Sequence, residues 1–218
     1  MKADPLVAAD RIKGLIEPLL QGQFPSGLGK VLVYVQSVTR SLDSSQAALR
    51  ALEEKRGGSL DADQDDWEKR RAAIERAYGR GLINSIGFAR RNLDSAQLQA
   101  LEELVRRPRL ASRTILEKRA LALQKSFDRM EDPAAGMLEH YTSTSDPLNK
   151  YLVAGPWGHE YLQKRKIDPG GYDLALCRLL GCQDTVAGRV VMSYASICQA
   201  IDELEAVAQG ALESTTAS

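Results

Sequence analysis

Apolar residues return every three or four positions along nearly the whole chain, a spacing that suits helices and excludes most strands. The clearest run is Val186, Val190, Tyr194, Ile197, Ile201, Leu204, Ala208 and Ala211, a stripe of about seven turns. Leu6, Ala9, Ile12, Ile16 and Leu19 repeat the pattern near the start, where Pro18 should end or kink the helix. Leu28, Val31, Leu32, Val35, Val38, Leu42, Leu49 and Leu52 carry it to Arg56, before Gly57-Gly58 stops it. Val31 to Val35 reads as a strand in isolation, but the downstream period favours helix.

Punctuation between these runs is unusually regular. Four of the eight prolines follow an aspartate: Asp4-Pro5, Asp132-Pro133, Asp146-Pro147 and Asp168-Pro169. An Asp side chain accepts from the free N–H groups of a first helical turn, and proline at the first position has no N–H to leave unpaired. Each pair therefore predicts a helix start. Further breaks are expected around Gly79 and Gly81, with a short helix over 82–88 and a new one capped by Asp94. The helix after Pro108 carries Leu116, Ala120, Leu123, Phe127 and Met130, and short helices are expected over 147–153 and 157–165. The fold class is all-α: a bundle-like assembly of about eight to ten helices with a long C-terminal helix.

Organisation follows composition. Residues 1–56 form N-terminal helices, 57–131 a basic helical middle, and 132–213 an aromatic loop block with the long helix. Residues 214–218 are a fraying tail, and the rest is one compact domain or two packed lobes. The 44% hydrophobic and 27% charged fractions exclude global disorder, and a net charge of zero gives no overall pull toward polyanions. The first residues lack a signal-peptide pattern and no apolar run is long enough for a bilayer, so no membrane is expected. With three cysteines (Cys177, Cys182, Cys198) reduced thiols are expected, hence a cytoplasmic or other intracellular setting. A virion component, or an effector delivered into another cell, has the same cysteine chemistry.

Motifs that would name a reaction fail on inspection. Gly22 and Gly27 have P-loop spacing, but Leu28 stands where Lys is needed; Gly29-Lys30 fails at Phe24 and Val31. Asp61, Asp63 and Asp65 resemble a calcium loop, yet Asp66 replaces the turn Gly and Ala72 the bidentate Glu. Glu139-His140 and His159-Glu160 lack the Glu-x-x-His order of a di-iron bundle, with Met137 and Pro156 at those positions. Leu174 to Arg189 has the outline of a helix-turn-helix, but its second helix is acidic and a plain helical corner fits better. No metal, cofactor or catalytic residue is assigned.

Charge segregation is the best functional clue. From Trp67 to Met130 there are fifteen Lys/Arg against seven Asp/Glu, an excess of eight. Arg70, Arg71, Arg90, Arg91, Arg106, Arg107, Arg109 and Arg113 form clusters, and guanidinium forks suit phosphate oxygens. Lys118, Lys125 and Arg129 fall opposite the apolar stripe of their helix. The competing reading pairs these charges with acidic segments or leaves them as solvated faces. Tyr151, Trp157, His159, Tyr161 and Tyr172 are the second candidate set, as an interface or as stacking groups, with core packing the equal alternative.

The expected function is a non-enzymatic helical binding protein that contacts nucleic-acid phosphates, RNA included, through the arginines. A protein–protein module (adaptor, effector or immunity-type factor, or a self-associating chain) using the aromatic block and C-terminal helix is the alternative. A small helical enzyme built on Glu, His and Cys177 or Cys182 is a third reading.

Overall fold

Three of the four Asp-Pro pairs open helices as the capping chemistry requires. In the computed structural model, which describes residues 5–20, 26–57, 64–109 and 112–213, Asp132 accepts from the Ala135 N–H at 3.0 Å. Asp146 accepts from Leu148 at 2.9 Å and Asp168 from Gly170 at 3.0 Å. Each is followed by a proline in the first turn. Asp4, the P-loop-like stretch 22–25 and the aspartates at 61 and 63 lie outside the described residues.

The described residues form nine α-helices and one 3-10 turn, and no strand. In order they are α1 (Pro5–Ile16), the turn Glu17–Leu20, α2 (Ser26–Gly57), α3 (Gln64–Leu104), α4 (Arg113–Phe127) and α5 (Pro133–Ser143). Then come α6 (Pro147–Ala154), α7 (Pro156–Lys164), α8 (Pro169–Leu180) and α9 (Val186–Glu213). The all-α architecture with a long C-terminal helix is as the periodicity predicts. Val31 to Val35 is helical, and α1 stops two residues before Pro18. Among the described residues no helix is long and apolar enough to cross a membrane.

One expectation is corrected. The breaks at Gly79 and Gly81, the separate helix over 82–88 and the cap at Asp94 do not occur; α3 runs unbroken from Gln64 to Leu104. Each interior glycine costs a helix about 1 kcal/mol relative to alanine. Burial of Leu82, Ile86, Ala89 and Leu93 within the next four turns outweighs that local cost. Asp94 does not cap; its carboxylate accepts from the Tyr194 hydroxyl at 2.7 Å.

The chain divides into two compact units. Unit 1 comprises residues 1–20, 26–93 and 196–218, and unit 2 residues 21–25 and 94–195, so α3 and α9 each contribute to both. In unit 1, α1 packs along α2, and Ile12, Ile16, Leu28, Val31, Val35, Leu82, Ile86, Ile197, Ile201 and Leu204 are buried. Arg11 meets Glu203 at 3.0 Å, tying α1 to α9. In unit 2, α4 to α8 surround a core of Leu123, Phe127, Met137, Leu152, Val153, Leu162, Tyr172 and Leu176. Gly181, with φ of 63°, ends α8 in the left-handed region that favours glycine. The chain then turns the corner into α9.

Candidate functional site

The eight singled-out arginines divide evenly: Arg70, Arg71, Arg90 and Arg91 belong to unit 1, and Arg106, Arg107, Arg109 and Arg113 to unit 2. In unit 1 the two pairs are twenty residues apart on α3, about 30 Å along the helix. Most are committed to neighbours. Arg70 reaches Asp66 at 2.8 Å, one turn before it. Arg71 reaches Glu75 at 3.0 Å and lies 5.5 Å from the Trp67 ring. Arg90 holds Asp202 at 2.5 Å and also binds Glu205, fastening α3 to α9. Burial by itself lowers the Arg90 pKa, but the two carboxylates raise it above the usual value. Arg91 lies 4.6 Å from the ring of Phe88, which stacks on Tyr34 with centroids 5.1 Å apart.

In unit 2, Arg113 pairs with Glu117 at 2.8 Å across one turn of α4. Arg106, Arg107 and Arg109 lie together just past the end of α3, and all three are exposed. Among the described residues neither Arg106 nor Arg109 makes an ion pair. Tyr151 of α6 is within electrostatic reach of this segment. Burial first, and then Glu102, raise its phenol, while Arg107 opposes them. One arginine of this cluster therefore acts electrostatically on one of the predicted aromatics. Lys118 and Lys125 are exposed on α4, and Arg129 just beyond its end.

The other aromatics mostly build the core. Tyr172 is buried and donates its hydroxyl to the Val153 carbonyl at 2.7 Å. Tyr161 is buried, donates to Asp128 at 2.9 Å, and stacks on the half-buried Trp157 at 5.4 Å. Arg165 also binds Asp128. His159 is wholly buried.

The polar centre of unit 2 was not predicted. His159 Nδ1 lies 2.5 Å from Asp173 Oδ2, and Gln97 Nε2 donates to the same oxygen at 2.7 Å. All three side chains are at most 1% exposed. The Tyr194 ring lies edge-on to His159 at 5.3 Å, and Gln163 donates to the Tyr194 hydroxyl at 3.3 Å. A readable signal existed: Gln97 shares a helix face with Leu93, Ala100, Leu101 and Leu104, and Asp173 with Leu176 and Cys177. A polar residue on an apolar face is the mark of a buried hydrogen-bonded group.

The arrangement offers no activated nucleophile at the cysteines. Cys177 and Cys182 are buried with their sulfurs 3.0 Å apart, and all three cysteines are free thiols. Burial, and then the hydrogen bond with Cys182, push the Cys177 thiol up to about 12, so little thiolate forms near neutral pH. His159 is engaged with Asp173, while His140 packs edge-on against Phe127 at 5.7 Å. Among the described residues no group of three His, Cys, Asp or Glu side chains could hold a metal ion. Compared with family models, with curated proteins and with solved structures, the chain matches none.

Proposed function

We propose that the chain is a non-enzymatic helical binding protein that contacts nucleic-acid phosphates through Arg106, Arg107 and Arg109. The observation that supports this is their placement: three exposed arginines within four residues, just beyond the last turn of α3. Such a segment offers guanidinium forks to successive phosphates. Arg70, Arg71 and Arg113 hold surface pairs worth little, and they can exchange a carboxylate for a phosphate. Arg90, held by two carboxylates, serves the fold. Three free thiols support an intracellular setting.

The test is fluorescence anisotropy with a single-stranded RNA oligomer across a salt series. Replacing Arg106, Arg107 and Arg109 together by Ala should weaken binding and reduce the slope of log affinity against log salt by about two. An unchanged slope would remove these residues from the interface. The second reading, a protein–protein module, is favoured by the pairing of Arg70, Arg71, Arg90 and Arg113 within the chain. It is also favoured by Ile115 and Leu121, 45% and 58% exposed on α4. A partner held by apolar contact stays bound as salt rises; RNA does not.

A further inference from the structure

In unit 1 the seam between α2 and α3 changes character along its length. Val31, Val35 and Val38 of α2 are buried in the core, but one and two turns later the same side of the helix carries Ser41 and Ser45. Across from them α3 presents Ile74, Ala77 and Tyr78. The serines of α2 leave this part of the seam unfilled, and an open groove of about 430 Å³ lies there. Sites for small molecules have volumes of about 300 to 1,000 Å³, so the groove suits a metabolite better than a polymer.

Its lining is chemically one-sided. Ser37, Ser41, Ser44 and Ser45 supply hydroxyls, Arg40 a guanidinium and Tyr78 a phenol, and among the described residues no carboxylate lines it. Ser45 spends its proton on the Ser41 carbonyl. The Tyr78 hydroxyl oxygen is buried with no hydrogen-bond partner. Native folds seldom leave such a group unpaired, and where one borders a groove an incoming acceptor is the natural partner. Arg40 is exposed and, among the described residues, makes no ion pair.

We propose that this groove binds a small phosphomonoester, with Arg40 on the phosphate oxygens and the Tyr78 and serine hydroxyls donating to the remaining acceptors. Phosphate is favoured over carboxylate because donors come from both helices, and the tetrahedral spread and higher charge of three terminal oxygens suit two facing walls better than a planar carboxylate does. The site is independent of the arginines past the end of α3.

The experiment is isothermal titration of the full chain with glycerol phosphate, with inorganic phosphate, and with glycerol alone. Glycerol phosphate should saturate the protein, inorganic phosphate should bind more weakly and glycerol not at all. Arg40→Gln should weaken glycerol phosphate by about tenfold or more, and Tyr78→Phe by about threefold. Both variants should keep the helical circular dichroism of the parent, since Arg40 is exposed and Tyr78→Phe removes one oxygen. The triple Ala variant at Arg106, Arg107 and Arg109 should bind as the parent does. No saturation by either phosphate up to about 10 mM overturns the proposal, as does unchanged affinity in both groove variants. If Arg40→Gln instead weakens RNA and leaves glycerol phosphate unaffected, the groove reads polymer phosphates and the small-molecule assignment is wrong.

Discussion

Asp173 is a buried carboxylate that serves two buried partners. Its Oδ2 serves both His159 and Gln97, and its buried Oδ1, with His159 Nε2 and Gln97 Oε1, has no hydrogen-bond partner among the described residues. Removing one member of such a group leaves a buried polar partner unsatisfied, at a cost of about 1–3 kcal/mol. His159→Ala should therefore lower the midpoint of urea unfolding by a large fraction of the total stability. Arg106→Ala should stay within about 0.5 kcal/mol of the parent. A His159→Ala loss below about 1 kcal/mol would show that the pair contributes little to the fold. The sequence made this cluster half legible: Gln97 and Asp173 stand out on apolar faces, as His159 does between Trp157 and Tyr161. That the three converge is not legible, because the pairings span 14 and 76 positions and depend on how three helices are packed.

Glycines show the same limit at the level of the element. Gly81 sits inside α3 with nothing within 4 Å of where a Cβ would be. Gly81→Ala should stabilise the fold by about 0.5–1 kcal/mol, the helical advantage of alanine. Gly188 in α9 is different, since an added Cβ would stand 1.9 Å from the Cys182 carbonyl oxygen at the α8–α9 corner. Gly158 in α7 would meet the Val153 carbonyl oxygen at 2.1 Å. Ala at either position should lower the melting temperature followed by circular dichroism, whereas Gly81→Ala should raise it. A rise at Gly188 would mean that the corner can open without cost. Helix starts at Asp132, Asp146 and Asp168 were readable because the cap is a local device, closed within three residues. The unbroken course of α3 was not, because local propensity at Gly79 and Gly81 argues for a break and only tertiary burial of Leu82 and Ile86 overrides it. Nor does any local sign separate Gly188 from Gly81.

Taken together, the buried acids of the chain set its response to alkali. Burial pushes the Tyr78 phenol up to about 12; burial and then Asp128 do the same for Tyr161, and burial holds Tyr172 well above 10. Cys177 rises from 9 to about 12. In each case the folded chain keeps a proton that the unfolded chain releases, near 9 for the thiol and near 10 for the phenols. Stability is therefore fully present below about pH 9 and falls as pH climbs toward 12. In a titration followed by phenolate absorbance and helical ellipticity, part of the phenolate signal should appear only as the helices melt. Ionisation of all seven tyrosines with helicity intact would show that the native state does not hold these protons.

The division of the chain into units also sets an order in time. Residues 94–195 leave the ribosome before Ser196 does, so the main stretch of unit 2 is complete while unit 1 still lacks part of α9. Until that part is made, Ile197, Ile201 and Leu204 are missing from the core of unit 1. Arg11 and Arg90 likewise have no Asp202, Glu203 or Glu205 to hold. Helix α1 is thus made before any of α4 to α8, yet it belongs to the unit that is completed after them.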